Sequence, residues 1–262
     1  MVTKDYNAIA AKRITRPADI RRFPKFLIYA RNKKGKTTFG LSAGVDKTLV
    51  LDPERGTAEM RTKNPHVWPI EKWEDLEDAY QFLKNGTHEY QWVVVDGLTK
   101  FSNMSLKYVM KLQEEKSLDR IPGLVQQRDY GKSGELMKDL LGRFHNLSMG
   151  VVFTAQERME DSFDSEEDED VEDQGAMFIP DMPKGVRAAA NSIVDVIGRL
   201  YVVKGEDGKA ERRLWIGESL KYDTGYRSDF VLPDYIKNPS VPKLVRLIRT
   251  GKENPPKVAP KK

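Results

Sequence analysis

Phe26-Leu27-Ile28-Tyr29-Ala30-Arg31-Asn32-Lys33-Lys34-Gly35-Lys36-Thr37-Thr38-Phe39-Gly40 joins an apolar run to a Gly-Lys-Thr-Thr turn through a basic loop. Phe26 to Tyr29 is a short apolar run of the kind that forms a buried strand. A polar loop follows, and Gly35-Lys36-Thr37-Thr38 then opens a run of helical character. Strand, loop, Gly-Lys-Thr and helix, in that order, is the context of a phosphate-binding loop. Backbone N–H groups of such a loop converge on phosphate oxygens, where a helix N-terminus also favours negative charge. In this pattern Lys36 reaches the β- and γ-phosphates, and the Thr37 hydroxyl is a ligand for Mg²⁺. Ala30, Lys34, Gly35, Lys36, Thr37 and Thr38 are therefore the candidate nucleotide contacts.

The pattern G-x-x-x-x-G-K-[ST] puts a first glycine at position 30, and this chain has Ala30. Alanine is penalised at positive φ, so an altered first turn of the loop is expected.

Composition narrows the alternatives. The 262 residues suffice for one large α/β domain. Cysteine is absent, which excludes disulfides and Cys-ligated zinc. The three histidines, His66, His88 and His145, are scattered. No apolar run approaches membrane-span length and no signal-peptide core precedes the loop, so a soluble cytoplasmic protein is expected. The net charge of +4 hides an uneven distribution. Residues 157–173 carry eleven carboxylates against Arg158 alone, leaving 43 basic and 29 acidic residues elsewhere, a balance of +14. A basic body of this kind points to a polyanionic partner. The acidic segment buries too little to order itself and reads as a flexible loop.

Outward from the phosphate loop, residues 1–22 form a basic lead-in. Lys47 to Leu51 reads as a second strand ending at Asp52-Pro53-Glu54, a place where open α/β sheets put ligands. Glu71 to Lys84 has helical spacing. Gln91 to Val95 reads as a buried parallel strand tipped by Asp96, the carboxylate that orders Mg²⁺ together with Thr37. Leu98 to Ser117 reads as a long helix. Ile121 to Gly134 reads either as a mobile loop able to touch nucleic acid or as a helix connection, and Glu135 to Leu147 as helix. Met149 to Thr154 is a further strand, followed by Gln156. A polar residue there either orients water near a γ-phosphate or satisfies a strand end. Ile193 to Ile216 reads as a β-hairpin around Gly205 to Gly208, appended to the parallel sheet. Val241 to Arg249 suits a short helix, and 251–262 a disordered basic tail.

This ordered set resembles the RecA-type ATPases. It is more closely similar to the short phage-encoded RecA-like single-strand-annealing ATPases, AAA-type nucleotide-binding proteins of phages. The resemblance covers roughly residues 22–250. It implies an α/β RecA-like P-loop NTPase core over residues 23–250, with a mainly parallel sheet flanked by helices and a C-terminal β-hairpin. It implies Mg-ATP hydrolysis, with Glu54 activating water, Gln156 sensing the γ-phosphate at the head of a DNA-binding loop, and Lys36 completing the catalytic set. Gly175-Ala176-Met177-Phe178 is similar to the Gly-Ala-Ala-Met-Phe of that loop in some relatives, whereas the acidic insert departs from the family. Single-stranded DNA is the implied partner, with a single-strand-binding protein and further copies of the chain as others. A phage-encoded member would act in the host cytoplasm. A cation from a neighbouring subunit often completes such sites, and Lys221 and Arg227 are the candidates. Two other readings share these motifs: an ATP-driven helicase or helicase loader, and a DNA-binding module whose ATP site binds without turnover.

Overall fold

The computed structural model describes residues 4–16, 22–117, 119–160 and 176–253. The apolar run identified above is β1 (Lys25–Ala30), buried along its whole length. Its side chains alternate between two cores, as a strand covered on both faces requires. Leu27 and Tyr29 face one core; Phe26, Ile28 and Ala30 face the other. The same alternation divides β4 (Trp92–Asp96), with Val93 and Val95 on one side and Val94 on the other.

The remaining strands are β2 (Thr48–Asp52), β3 (His66–Pro69), β5 (Gly150–Glu160), β6 (Met177–Pro180), β7 (Val196–Lys204), β8 (Ala210–Trp215), β9 (Gly225–Tyr226) and β10 (Tyr235–Lys237). The sheet runs β10-β8-β7-β1-β5-β4-β2-β3, parallel from β7 to β3. β8 and β10 add an antiparallel margin. The hairpin expected as an appendage is thus half integral, because β7 pairs directly with β1. Four helices cover one face: α3 (Glu74–Asn85), α4 (Leu98–Lys116), α5 (Gln127–His145) and α6 (Lys184–Ile193). On the other lie α2 (Lys36–Leu41) and α7 (Val241–Thr250). α2 lies so close to β4 that a Cβ at Gly40 would come within 2.6 Å of Val94. The mainly parallel sheet between helical layers is the expected fold class.

Several elements differ from the sequence expectation. The lead-in contains a helix, α1 (Tyr6–Arg13), none of whose residues is buried. β3 was not anticipated; it is a four-residue edge strand ending at Pro69, and its side chains are exposed or half-buried. Residues 127–134 are neither loop nor connection but the first half of α5. The inward positions there are polar, which conceals the helical period. Asp129 is fully buried on Arg120, which donates to it from the α4–α5 connection, and Asp129 Oδ2 also accepts from the Gln126 N–H at 2.8 Å. One turn on, Ser133 pairs with Ser105 of α4 at 2.6 Å. The acidic run begins inside a strand, since β5 continues through Glu160 and pairs antiparallel with β6. Residues 161–175, which hold most of the acidic loop and Gly175, and 254–262 of the tail lie outside the described residues. Among the described residues no helix is long and apolar enough to cross a membrane.

Lys25 opens β1 at 4 % exposure, its ammonium donating to Leu147 O at 2.9 Å and Met149 O at 2.6 Å. Burial lowers its pKa from 10.5 to about 8, against a smaller upward pull from Asp195. Between those two values the unfolded chain binds a proton that the folded chain has released, so stability rises with pH across the window. The advantage of wild type relative to Lys25→Met should therefore grow by about 2 kcal/mol from pH 8 to pH 10. Denaturant unfolding of both proteins measures it; a pH-independent difference would show that Lys25 keeps its ordinary pKa.

Candidate nucleotide site

Parallel register brings the chemistry to one edge. Ala30 pairs with Gln156 and Asp96 with Thr154, while Asp52 ends β2 beyond β4. The carboxyl ends of β1, β2, β4 and β5 thus deliver Ala30, Asp52, Asp96 and Gln156 to the crevice where open α/β sheets bind ligands.

The loop after β1 turns without help from a glycine at position 30. Ala30 remains in the strand, fully buried and paired with Gln156. The left-handed residues are Lys33 at φ 61° and Gly35 at φ 101°. The altered first turn expected from Ala30 is therefore absent, because that position does not need positive φ. Lys36 folds back over the loop, its Nζ donating to Ala30 O at 3.1 Å and Arg31 O at 3.3 Å. Burial lowers its pKa, while Asp96, Glu54 and Glu157 in turn pull it upward. Lys36 thus feels carboxylates from the tip of β4, the turn after β2 and β5.

The Thr37 hydroxyl donates to Asp96 Oδ2 at 2.5 Å. Thr154 Oγ1 donates to Asp96 Oδ1 at 2.6 Å and accepts from the Gly97 N–H at 2.9 Å. Burial raises the Asp96 pKa, and the two hydroxyl hydrogen bonds oppose the shift. A hydroxyl and a carboxylate meeting in this way are hard oxygen donors of the kind Mg²⁺ accepts. Mg²⁺ is bound through one or two carboxylates plus substrate phosphates and water, not by an all-protein cage. No group of three or more His, Asp or Glu able to hold a metal occurs among the described residues.

Asp52 and Glu54 divide their work. Asp52 is buried and spent on the loop: Oδ1 accepts the Glu54 N–H at 3.0 Å, and Oδ2 accepts Thr57 N–H and Oγ1 at 2.9 and 2.7 Å. Glu54 stands exposed on the turn that Asp52 fixes. The Gln156 backbone is held on both sides, its N–H donating to Thr99 Oγ1 at 3.0 Å and its carbonyl accepting from Asp181 N–H at 2.8 Å. Thr38 follows Thr37 in α2, and the Lys34 carbonyl accepts from Arg212 Nε at 3.4 Å.

Three residues at this edge escaped the sequence reading. Glu157, assigned to the solvated acidic run, has a side chain only 3 % exposed and pairs with Arg199 at 2.6 Å and Arg31 at 3.3 Å. Arg199 lies over the rings of Phe178 and Tyr222, 4.3 and 4.5 Å from their centroids. Arg212, from β8, rests on the phosphate loop; a Cβ at Gly35 would lie 3.1 Å from its Nε. Of the two cations named for a neighbouring subunit's site, Arg227 lies away from this edge and Lys221 beside the Phe178–Tyr222 pair. Arg227 donates to Asp195 O and Ser192 O near the start of β7, at the opposite end of the strands. The Lys221 carbonyl accepts from the Phe178 N–H of β6. No local signal in the sequence marks Arg212 or Arg199, since each acquires its role only by strand pairing.

Comparison with known proteins adds three findings. The profile of the AAA_24 family, described as an AAA domain, matches residues 22–228. Among solved structures, the chain is similar to the flagellar accessory protein FlaH of Methanocaldococcus jannaschii, at 11 % identity and a TM-score of 0.38, over 82 % of this chain and 84 % of that one. It is also similar to a KaiC-like protein of Pyrococcus horikoshii, at 10 % identity and a TM-score of 0.42, over 78 % and 83 % of the two chains. No curated protein sequence matches it.

Proposed function

We propose, for a chain that belongs to the AAA_24 family of AAA domains, that the phosphate loop binds Mg-ATP and hydrolyses it in work on single-stranded DNA, in phage-type recombination or annealing. The observation that supports nucleotide hydrolysis best is the Thr37–Asp96 contact of 2.5 Å beside Lys36, with Glu54 in the same electrostatic neighbourhood. Phosphoryl transfer needs little covalent work from a protein; position and charge supply most of the catalysis.

In this reading the loop backbone from Lys34 to Thr38 cradles the phosphates, and Lys36 exchanges its two carbonyl contacts for β- and γ-phosphate oxygens. Thr37 and Asp96 would hold Mg²⁺, which when bound neutralises charge on those oxygens. Glu54 positions the attacking water and takes its proton. Gln156, on a backbone fixed by Thr99 and Asp181, faces the terminal phosphate. Glu157 adjoins it in sequence and ties the same edge to Arg199 and the aromatic pair Phe178–Tyr222. A signal from the phosphate would thereby reach the β5–β6 arm.

Support for a nucleic-acid partner is the +14 balance of the chain outside residues 157–173. The test is ATP turnover measured with and without single-stranded DNA. Turnover should rise severalfold with DNA, and the rise should shrink as salt releases DNA from the basic surface. Turnover indifferent to DNA at every salt concentration would remove the DNA partner from this reading while leaving the ATPase. Directional displacement of a paired strand would favour the helicase reading instead.

A further inference from the structure

The margin of the sheet formed by β7, β8 and β10 has two unlike faces. Leu200, Leu214 and Ile236 are buried on one of them, in the core that includes α7. The opposite face is half-exposed, although it carries large rings. Antiparallel register sets Arg199, Trp215 and Tyr235 in one row across the three strands, and Tyr201, Arg213 and Lys237 in the next. Residues directly opposite in a ladder share a face, so the two rows make one aromatic and basic grid.

The rings continue past the margin. Phe178 of β6, Tyr222, Trp215 and Tyr235 follow one another with centroids 6.0, 5.5 and 6.1 Å apart. Guanidinium groups lie against this row, Arg199 at 4.3 and 4.5 Å from the Phe178 and Tyr222 centroids and Arg213 at 4.6 Å from that of Tyr235. Each is held through Nε at 2.6 Å, Arg199 by Glu157 and Arg213 by Glu211. A planar guanidinium anchored in this way is a stacking surface in its own right. Lys221 is exposed beside Phe178 and Tyr222, and Lys237 is exposed two residues along β10 from Tyr235. Trp215, Tyr235 and Arg213 take no part in the hydrolytic site. Large rings left in contact with water are what an interaction surface presents.

We infer that this sheet face stacks the bases of single-stranded DNA. The inference rests on the reading above that single-stranded DNA is the partner, and it supplies the surface. Every base has a π-face, so a row of rings and guanidinium planes holds a strand with little regard to its sequence. Aromatic side chains on a sheet face stack about two or three bases in this manner, and a duplex keeps its bases out of their reach. Lys221 and Lys237 are placed for the phosphates. Beside Arg199 the row adjoins a cavity of about 280 Å³ lined by Arg31, Lys34 and Tyr201, where a phosphate of the strand would meet the loop that binds ATP. Glu157 is bonded to both Arg31 and Arg199, so one carboxylate links the stacked strand to that loop.

Fluorescence anisotropy with labelled oligothymidylate, and with an abasic strand of the same length, tests the assignment. Wild type should bind oligothymidylate at least about tenfold more tightly than the abasic strand, the scale of a single stacked base. Tyr222→Leu keeps the apolar bulk and removes the ring. It should weaken oligothymidylate about tenfold and leave the abasic strand unchanged, with the salt dependence of wild type because no phosphate contact is lost. Tyr222→Phe should bind both strands as wild type does, and Tyr235→Leu, at the far end of the row, should repeat the loss. Equal affinity of wild type for the two strands, or equal binding of oligothymidylate by Tyr222→Leu and Tyr222→Phe, would overturn the stacking face and leave the DNA partner standing. Equal loss of both strands in the two leucine variants would also overturn it, since a contact between copies of the chain or a folding defect produces that pattern. A wild type that binds neither strand would overturn the DNA partner and the face together.

Discussion

Lys36→Ala is expected to lower ATP turnover about a thousandfold, at the upper end for removing one preorganised group that stabilises transition-state charge, while the chain still folds. The lysine is half-buried, and burial already disfavours its charged form. Its ammonium gives two hydrogen bonds to loop carbonyls, Ala30 O and Arg31 O, which remain near the open edge of the sheet and within reach of water when the side chain is shortened. Little folding energy is therefore at stake, and the melting temperature should move by only a few degrees. The catalytic loss is of another order. Negative charge on the transferring phosphoryl group would lose the one cation that Asp96, Glu54 and Glu157 act upon. Phosphate release and a thermal melt on one preparation separate the two effects. A folded variant that hydrolyses ATP at the parental rate would mean that Lys36 does not serve the reaction.

Glu54→Gln should leave ATP affinity nearly unchanged and lower kcat at least about a hundredfold, the low end for loss of a general base. The difference follows from where the side chain stands. Glu54 contributes only its backbone N–H to the turn that Asp52 organises, so the amide replacement keeps the loop intact. Its carboxylate is exposed and free to act on water. A group needed in the transition state more than in the ground state lowers kcat and spares binding. Equal loss of affinity and rate would make Glu54 a binding residue, and an undiminished rate would move the general base elsewhere. Asp52→Asn makes a useful contrast. It would disturb the turn itself, since Asp52 accepts three hydrogen bonds from Glu54 and Thr57.

The sheet's central strands and the phosphate loop are legible in the residues alone. β1, β2, β4 and β5 are apolar runs ended by polar residues, and a parallel strand covered on both faces has to be written that way. Gly35-Lys36-Thr37 and the carboxylate at the tip of β4 are local signals too, and their meeting at one edge follows from parallel order alone. Elements whose inner face is polar were out of reach. The first half of α5 buries Asp129 and Ser133, and each is acceptable inside only because Arg120 or Ser105 meets it. β3 escaped notice as a short edge strand with little to bury.

Which charges count depends on how the strands are ordered in the sheet. Glu157 reads as one carboxylate among eleven until β5 carries it past the end of β1, where Arg199 of β7 and Arg31 make its burial tolerable. Ala30 reads as a defect in the motif until the backbone shows the turn being made at Lys33 and Gly35. Arg212 lies far along the chain from the phosphate loop and comes to it through the antiparallel margin that β8 adds to the sheet. Local sequence encodes backbone conformation and burial pattern. The partners of a charged side chain are chosen by strand order, and that order is settled only when the whole sheet has closed its two cores.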